Sequence, residues 1–154
     1  MTPAEGGREA GVLRVVVLAD DLIWATRLVG QLRTIGADPI RVGSADAFAA
    51  AIAGLPADAS GARPGHAVVD LTARSYDGLA ALRLAVAAGF RVLCVGQHDE
   101  HEERRAARAA GAERVLAYRQ LFENGHAVLA EWLGVPAPAV GSLRVPSGSA
   151  GAAP

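Results

Sequence analysis

The sequence contains no lysine. All 15 of its basic side chains are arginines, set against 16 acidic ones, which gives a formal net charge of −1 at pH 7. A nearly neutral chain has little electrostatic attraction for a polyanion, so we expect no direct contact with nucleic acid. Any chemistry that requires a positive side chain must use arginine, whose planar guanidinium is not equivalent to a compact ammonium.

Cysteine, aromatic residues and long apolar runs are also scarce. The single cysteine, Cys94, lies in an apolar run and is expected to be a core residue in a reducing compartment, not half of a disulfide. Aromatic residues make up 5% of the chain, so the core must be mainly aliphatic. No apolar run approaches the ~20 residues of a membrane span, and residues 1–11 do not resemble a secretory signal. We therefore expect a cytoplasmic protein without a membrane partner.

The most informative stretch is Leu13–Asp21, LRVVVLADD, in which an apolar run ends in two adjacent carboxylates. Such a run is typical of a central strand that is buried on both faces of a parallel sheet. A second run, His66–Asp70, ends in one further carboxylate. If these strands are neighbours, Asp20, Asp21 and Asp70 converge at the carboxyl edge of the sheet, where they would suit Mg²⁺. Taken singly, Asp21 can equally be a helix cap, and Asp20 and Asp70 can be loop residues.

Strand and helix patterns alternate along the rest of the chain. We predict strands at residues 13–19, 39–42, 66–70, 91–96 and 114–117, and helices at residues 22–35, 45–53, 78–88, 97–110 and 121–133. This alternation predicts an α/β fold with a doubly wound parallel sheet and helices on both faces. Residues 12–133 form the predicted domain, between a disordered lead-in at 1–11 and a disordered tail at 134–154.

Over residues 13–133 the sequence resembles the receiver (CheY-like) domain of bacterial two-component response regulators. Asp20-Asp21 stands where that family keeps its metal-binding acidic pair, and Asp70 stands at the phosphoacceptor position. Gly78, eight residues beyond Asp70, and Gly111-Ala112, before the fifth strand, match further family positions. The resemblance implies a flavodoxin-like five-stranded sheet of order 2-1-3-4-5, with Mg²⁺ as the cofactor of Asp20, Asp21 and Asp70.

Several positions depart from the receiver pattern. Gly96 replaces the threonine or serine at the end of the fourth strand, and Tyr118 replaces the lysine at the end of the fifth. Arg119 and Arg74 each replace a proline, and Val115 replaces the aromatic residue that swings inward on activation. Loss of the ammonium removes one of the main charges that stabilise a transferring phosphoryl group. Whether Arg74 or Arg119 supplies that charge instead is left open.

The favoured interpretation is a stand-alone, atypical receiver or pseudo-receiver. It would be a protein-interaction module of two-component-type signalling, not an enzyme, and its output would depend weakly or not at all on phosphate. The resemblance implies a histidine kinase or an output protein as partner, and a homodimer through the fourth helix, fifth strand and fifth helix.

Two alternatives follow from the same residues. In the first, Asp70 is a working phosphoacceptor of a phosphorelay, taking phosphate from a histidine kinase with Mg²⁺ held by Asp20 and Asp21. In the second, the chain senses a small ligand in a pocket that Gly96 widens and that Trp24 and Tyr118 line.

Overall fold

The computed structural model describes residues 13–55, 65–97 and 99–138. The predicted lead-in, most of the loop at 54–65 and most of the predicted tail lie outside these residues. Five strands alternate with five helices: β1 (Arg14–Leu18), α1 (Leu22–Thr34), β2 (Asp38–Val42), α2 (Ala45–Gly54), β3 (His66–Asp70), α3 (Gly78–Ala87), β4 (Arg91–Gly96), α4 (His101–Ala109), β5 (Arg114–Ala117) and α5 (Tyr118–Leu133).

All strand pairs are parallel, and the sheet order is β2-β1-β3-β4-β5. The predicted fold class and strand order are therefore confirmed. Strands β1 and β3 are direct neighbours, with Val15 opposite His66 and Leu18 opposite Val69. Their carboxyl ends consequently lie at one edge of the sheet. This is the condition under which Asp20, Asp21 and Asp70 were predicted to converge.

The sheet separates two apolar cores. Alternate residues of β1 project to opposite faces, so that Val15 and Val17 pack with α1 and α5, whereas Val16 and Leu18 pack with α2 and α3. Cys94 is a free cysteine buried in the second core, which confirms its predicted position as a core residue. None of the helices in the described part of the chain is long and apolar enough to cross a membrane.

Two helix starts differ from the prediction. Helix α4 begins at His101 and not at Gln97, because Glu100 has a non-helical backbone and supplies no side-chain cap. Helix α5 begins at Tyr118 and not at Leu121, because the Gln120 side chain accepts a hydrogen bond of 2.8 Å from the Ala117 amide and stabilises an earlier first turn. Tyr118 is therefore the first residue of a helix, directly after the fifth strand.

Helix α5 is kinked at Asn124, whose φ of −144° is non-helical. Beside the kink, the buried Gln31 side chain of α1 donates a hydrogen bond of 2.7 Å to the Leu121 carbonyl oxygen. A Cβ on Gly125 would lie 2.6 Å from Gln31 Cδ, so the glycine leaves room for this contact. The kink at Asn124 and the small size of Gly125 thus allow the Gln31 side chain of α1 to hydrogen-bond with the backbone of α5.

Candidate functional site

The candidate site lies at the carboxyl edge of β1, β3 and β4, around Asp70. Asp70 is the last residue of β3, and its exposed fraction is only 2%. Asp20 and Asp21 follow β1 and are more accessible, since Asp20 is half-buried and Asp21 is exposed. The three predicted carboxylates therefore differ sharply in their access to solvent.

Asp21 caps helix α1, because its Oδ1 accepts a hydrogen bond of 3.0 Å from the Trp24 amide. Asp20 accepts a hydrogen bond of 2.7 Å from the Ser75 hydroxyl through Oδ2. Each of these carboxylates thus has one oxygen engaged by a neutral donor from the chain itself.

A chain of hydroxyl groups covers Asp70. Its Oδ1 accepts from both the backbone amide and the hydroxyl of Thr72, at 2.9 and 2.8 Å. The Thr72 hydroxyl lies 2.7 Å from the Tyr118 hydroxyl. Since threonine has one hydroxyl proton, which it gives to Asp70, Tyr118 must be the donor in the last contact. Burial and the nearby Asp70 carboxylate both raise the pKa of Tyr118, which keeps the phenol protonated.

The backbone at Asp70 is held by a second tyrosine. The buried Tyr76 hydroxyl lies 2.8 Å from the Asp70 carbonyl oxygen and 3.1 Å from that of Leu18, so that its single proton is shared between the two acceptors. Burial and the Asp70 carboxylate also raise the pKa of Tyr76. Tyr76 therefore ties the ends of β1 and β3 together below the site.

The space beside Gly96 is filled by an acidic side chain. A Cβ at Gly96 would lie 3.1 Å from Oε1 of Glu103, an oxygen that is buried and has no hydrogen-bond partner among the described residues. Burial raises the pKa of Glu103, and the charges of Glu100 and Asp70 raise it further. The prediction that Gly96 widens a pocket is therefore wrong, because Glu103 fills that space.

The two candidate replacements for the lysine do not supply a charge to Asp70. Arg119 forms an exposed ion pair of 2.8 Å with Glu123, one turn further along α5. Arg74 is exposed and forms no ion pair or hydrogen bond with any residue that the structure describes. Val115, at the position of the switching aromatic, is buried in the sheet. The Asp70 carboxylate consequently accepts its hydrogen bonds from neutral donors. No ion pair to it occurs within the described ranges.

The structure does not gather the three predicted carboxylates into a metal-ligand set. Within residues 13–55, 65–97 and 99–138, no group of three or more histidine, cysteine, aspartate or glutamate residues could hold a metal ion. The oxygen donors of the three carboxylates are of the type that a hard cation prefers. The Mg²⁺ site at Asp20, Asp21 and Asp70 stays a prediction.

Trp24 and Tyr118 line a pocket, as one alternative predicted. The pocket has a volume of about 580 Å³ and also contacts Asp21, Thr72 and Phe122. The Trp24 and Tyr118 rings meet edge to face, with centroids 4.4 Å apart. The pocket lies in front of the Thr72 and Tyr118 hydroxyls, next to the acidic site.

Sequence reasoning missed four residues of the site: Thr72, Ser75, Tyr76 and Glu103. A threonine two residues after an aspartate is a recognisable turn signal, so Thr72 could have been found. The contacts of Tyr76 and Glu103 depend on how distant elements pack, for which the sequence carries no local signal.

Neither family models nor curated proteins match the sequence, but many solved structures match the fold. A response regulator receiver protein from Burkholderia phymatum is 24% identical, with 82% of this chain and 99% of that chain covered and a TM-score of 0.66. A response regulator protein from Burkholderia pseudomallei, with a phosphorylated aspartic acid, calcium ion and citrate, is 19% identical. Its coverage is 90% of this chain and 73% of that chain, with a TM-score of 0.62.

A third structure, the Mn²⁺-bound form of the response regulator Rcp1, is 17% identical, with 82% of this chain and 99% of that chain covered and a TM-score of 0.64. The three structures match the fold of this chain with TM-scores of 0.62 to 0.66. The chain therefore has the fold of a response regulator receiver (CheY-like) domain.

Proposed function

We propose that the chain is an atypical receiver of two-component-type signalling that acts through protein contacts and depends weakly or not at all on phosphate at Asp70. The observation that carries this proposal is the closure of Asp70, which is 2% exposed beneath the Thr72 and Tyr118 hydroxyls. Phosphoryl transfer requires access to the acceptor oxygen and positive charge around the transferring group. At Asp70, Thr72 occupies Oδ1, and the guanidinium of Arg41, beside the site, donates to the Ala19 carbonyl oxygen at 3.0 Å and not to Asp70.

The charge near the site also disfavours a phosphoryl group. Glu103 is close enough to Asp70 for the aspartate charge to raise its pKa. A phosphorylated aspartate adds negative charge, which Glu103, Asp20 and Asp21 would repel at short range. A receiver with lysine at position 118 would offset part of this repulsion, whereas the Tyr118 phenol cannot.

The proposed partners are a histidine kinase or an output protein, as in two-component signalling. A homodimer through α4, β5 and α5 remains part of the proposal, and the Arg119–Glu123 pair lies on that side of α5. Large exposed apolar side chains among the described residues lie mainly elsewhere, at Leu22 and Ile23 of α1 and Phe122 of α5. These side chains favour a protein contact near the start of α1 as well.

The second candidate function is a working phosphoacceptor at Asp70, with Mg²⁺ held by Asp20 and Asp21. Its support is the fold shared with the Burkholderia pseudomallei protein, which carries a phosphorylated aspartic acid and calcium, and with manganese-bound Rcp1. The phosphoacceptor function requires the hydrogen bonds that join Tyr118, Thr72 and Asp70 to break, so that Asp70 becomes accessible.

The deciding experiment is an amide NMR titration with Mg²⁺ and then with beryllofluoride, a mimic of the phosphoryl group on aspartate. We expect beryllofluoride to leave the resonances of α4 and α5 unchanged both in the native protein and in the Asp70→Asn control. Metal-dependent shifts that begin at Asp20, Asp21 and Asp70 and spread to α4 and α5, absent from Asp70→Asn, would establish the phosphoacceptor function instead.

A further inference from the structure

The pocket between the start of α1 and the start of α5 has walls of aromatic rings. Trp24, Tyr118 and Phe122 form a continuous group, in which the Trp24 and Phe122 centroids are 5.5 Å apart. The face of an aromatic ring carries negative charge density and attracts cations. This protein already shows that attraction, because the Arg27 guanidinium carbon lies 4.1 Å from the centre of the Phe122 ring.

The charge of the pocket is suited to a cation as well. Asp21 lies in its wall, and only one of its carboxylate oxygens is engaged, by the Trp24 amide. The charged side chains that act on the Tyr118 hydroxyl are Asp70 and Asp21, both of them negative. Arg27, the one basic residue in the described wall, already stacks on Phe122. The pocket wall thus contains one carboxylate, Asp21, and one guanidinium, which the Phe122 ring already engages.

The size of the pocket limits what it can hold. A volume of about 580 Å³ is within the range of small-molecule sites in proteins. The Tyr118 hydroxyl gives its proton to Thr72, and the Thr72 hydroxyl gives its proton to Asp70, so neither can donate to a ligand. The free lone pairs of the Tyr118 oxygen can only accept, which suits a ligand that donates, beside the rings and Asp21.

We propose that this pocket binds a small organic cation, an amine whose ammonium group faces the Asp21 carboxylate and whose apolar part lies against Trp24 and Tyr118. This inference goes beyond the proposed signalling function and does not depend on it, since it is argued from the walls of the pocket and uses no step at Asp70. Its failure would leave the beryllofluoride result unaffected, so the two proposals are tested separately.

The test uses phenethylammonium as the probe, with the neutral phenethyl alcohol and the anion phenylacetate as comparisons. Binding to the full chain is followed by NMR at the Trp24 indole and the Tyr118 amide, with the buried Trp132 indole as an internal reference. We expect saturable shifts with phenethylammonium that are confined to the pocket, and weaker binding of both comparison compounds.

Two aspartate variants separate a charge effect from a structural one. Asp21→Asn keeps a capping side chain but removes the charge, and we expect it to weaken phenethylammonium binding about fivefold. Asp77→Asn is the matched control, because Asp77 caps α3 in the same way, through the Ala80 amide at 3.0 Å, and does not line the pocket. It should leave binding unchanged.

The proposal is overturned if no saturable shift occurs at Trp24 or Tyr118. It is also overturned if phenethyl alcohol binds as tightly as the ammonium, or if Asp21→Asn binds it as well as Asp77→Asn does. Tighter binding of phenylacetate would assign the pocket to anions held by Arg27, which is the opposite conclusion.

Discussion

Tyr118 and Thr72 are joined by a hydrogen bond of 2.7 Å between their hydroxyl oxygens, although 46 positions separate them in the sequence. Through Thr72 this bond reaches the carboxylate of Asp70. At the position where the resembling family has a lysine, the chain thus has a neutral donor that closes the site. The contact determines both the access to Asp70 and the charge around it.

The first prediction concerns Tyr118, which stands where the resembling family has a lysine. Tyr118→Lys returns an ammonium to the end of β5 and removes the phenol that donates to Thr72. We expect the variant to respond to Mg²⁺ and beryllofluoride at Asp70 in the NMR titration, whereas the native protein does not. Tyr118→Phe is the control: it opens the hydroxyl chain without adding charge and should not gain the response. Its free energy of unfolding should fall by about 1 kcal/mol, because one buried hydrogen bond is lost.

A response in Tyr118→Phe equal to that in Tyr118→Lys would contradict the role assigned to charge. Closure of the site by the phenol alone would then explain why the native protein shows no response in the same titration.

The second prediction concerns the pH dependence of stability through Glu103. Burial and neighbouring carboxylates raise its pKa in the folded state, so the folded protein holds this proton more tightly than the unfolded chain does. As pH rises past the ordinary glutamate pKa of about 4.3, Glu103 therefore lowers the free energy of unfolding. Glu103→Gln should remove this loss and be more stable than the native protein near pH 7, with the difference disappearing toward pH 4.

Urea unfolding across this pH range measures the effect. Glu102→Gln is the matched control, since the neighbouring Glu102 is exposed and faces no comparable burial. A stability difference for Glu103→Gln that does not change with pH would rule out the buried charge as its cause.

The third prediction concerns the contact between α1 and α5. In Gly125→Ala, the new Cβ would meet the Gln31 amide, which is buried and hydrogen-bonded to Leu121. We expect this variant to lose about 1 to 3 kcal/mol of unfolding free energy, since overpacking must displace the amide or break its hydrogen bond. Denaturant unfolding gives the value.

A double-mutant cycle tests the cause. In a Gln31→Ala background the amide is gone, so Gly125→Ala should cost clearly less than it does in the native chain. Equal costs in both backgrounds would show that the glycine is required for another reason, such as the backbone at the Asn124 kink.

The sheet was predictable because its strands are continuous apolar runs that end in polar residues. Residues 13–19 and 66–70 have this pattern, and the structure places β1 and β3 within them. The order of the strands came from the resemblance to receivers, since periodicity alone does not order a sheet. The start of α4 was wrong because its charged sequence has no apolar periodicity from which a first turn could be located.

The candidate site was predictable only in part. Sequence position brought Asp20, Asp21 and Asp70 to one edge, but it could not show that Thr72 and Tyr118 would enclose Asp70. Likewise, the small size of Gly96 indicated open space in the pocket. The sequence does not reveal that the Glu103 side chain of α4 occupies this space. Both features are contacts between distant segments, and their geometry depends on packing.

The contact between Gly96 and Glu103 couples the two positions, so that the effect of a substitution at one depends on the residue at the other. A hydroxyl-bearing side chain at position 96 must share its space with the Glu103 carboxyl group, whose oxygen would lie 3.1 Å from the new Cβ. The same change at position 96 therefore has one effect with glutamate at 103 and another after that residue has been shortened. Substitutions at positions 96 and 103 are consequently epistatic: the effect of serine or threonine at position 96 depends on the residue at position 103.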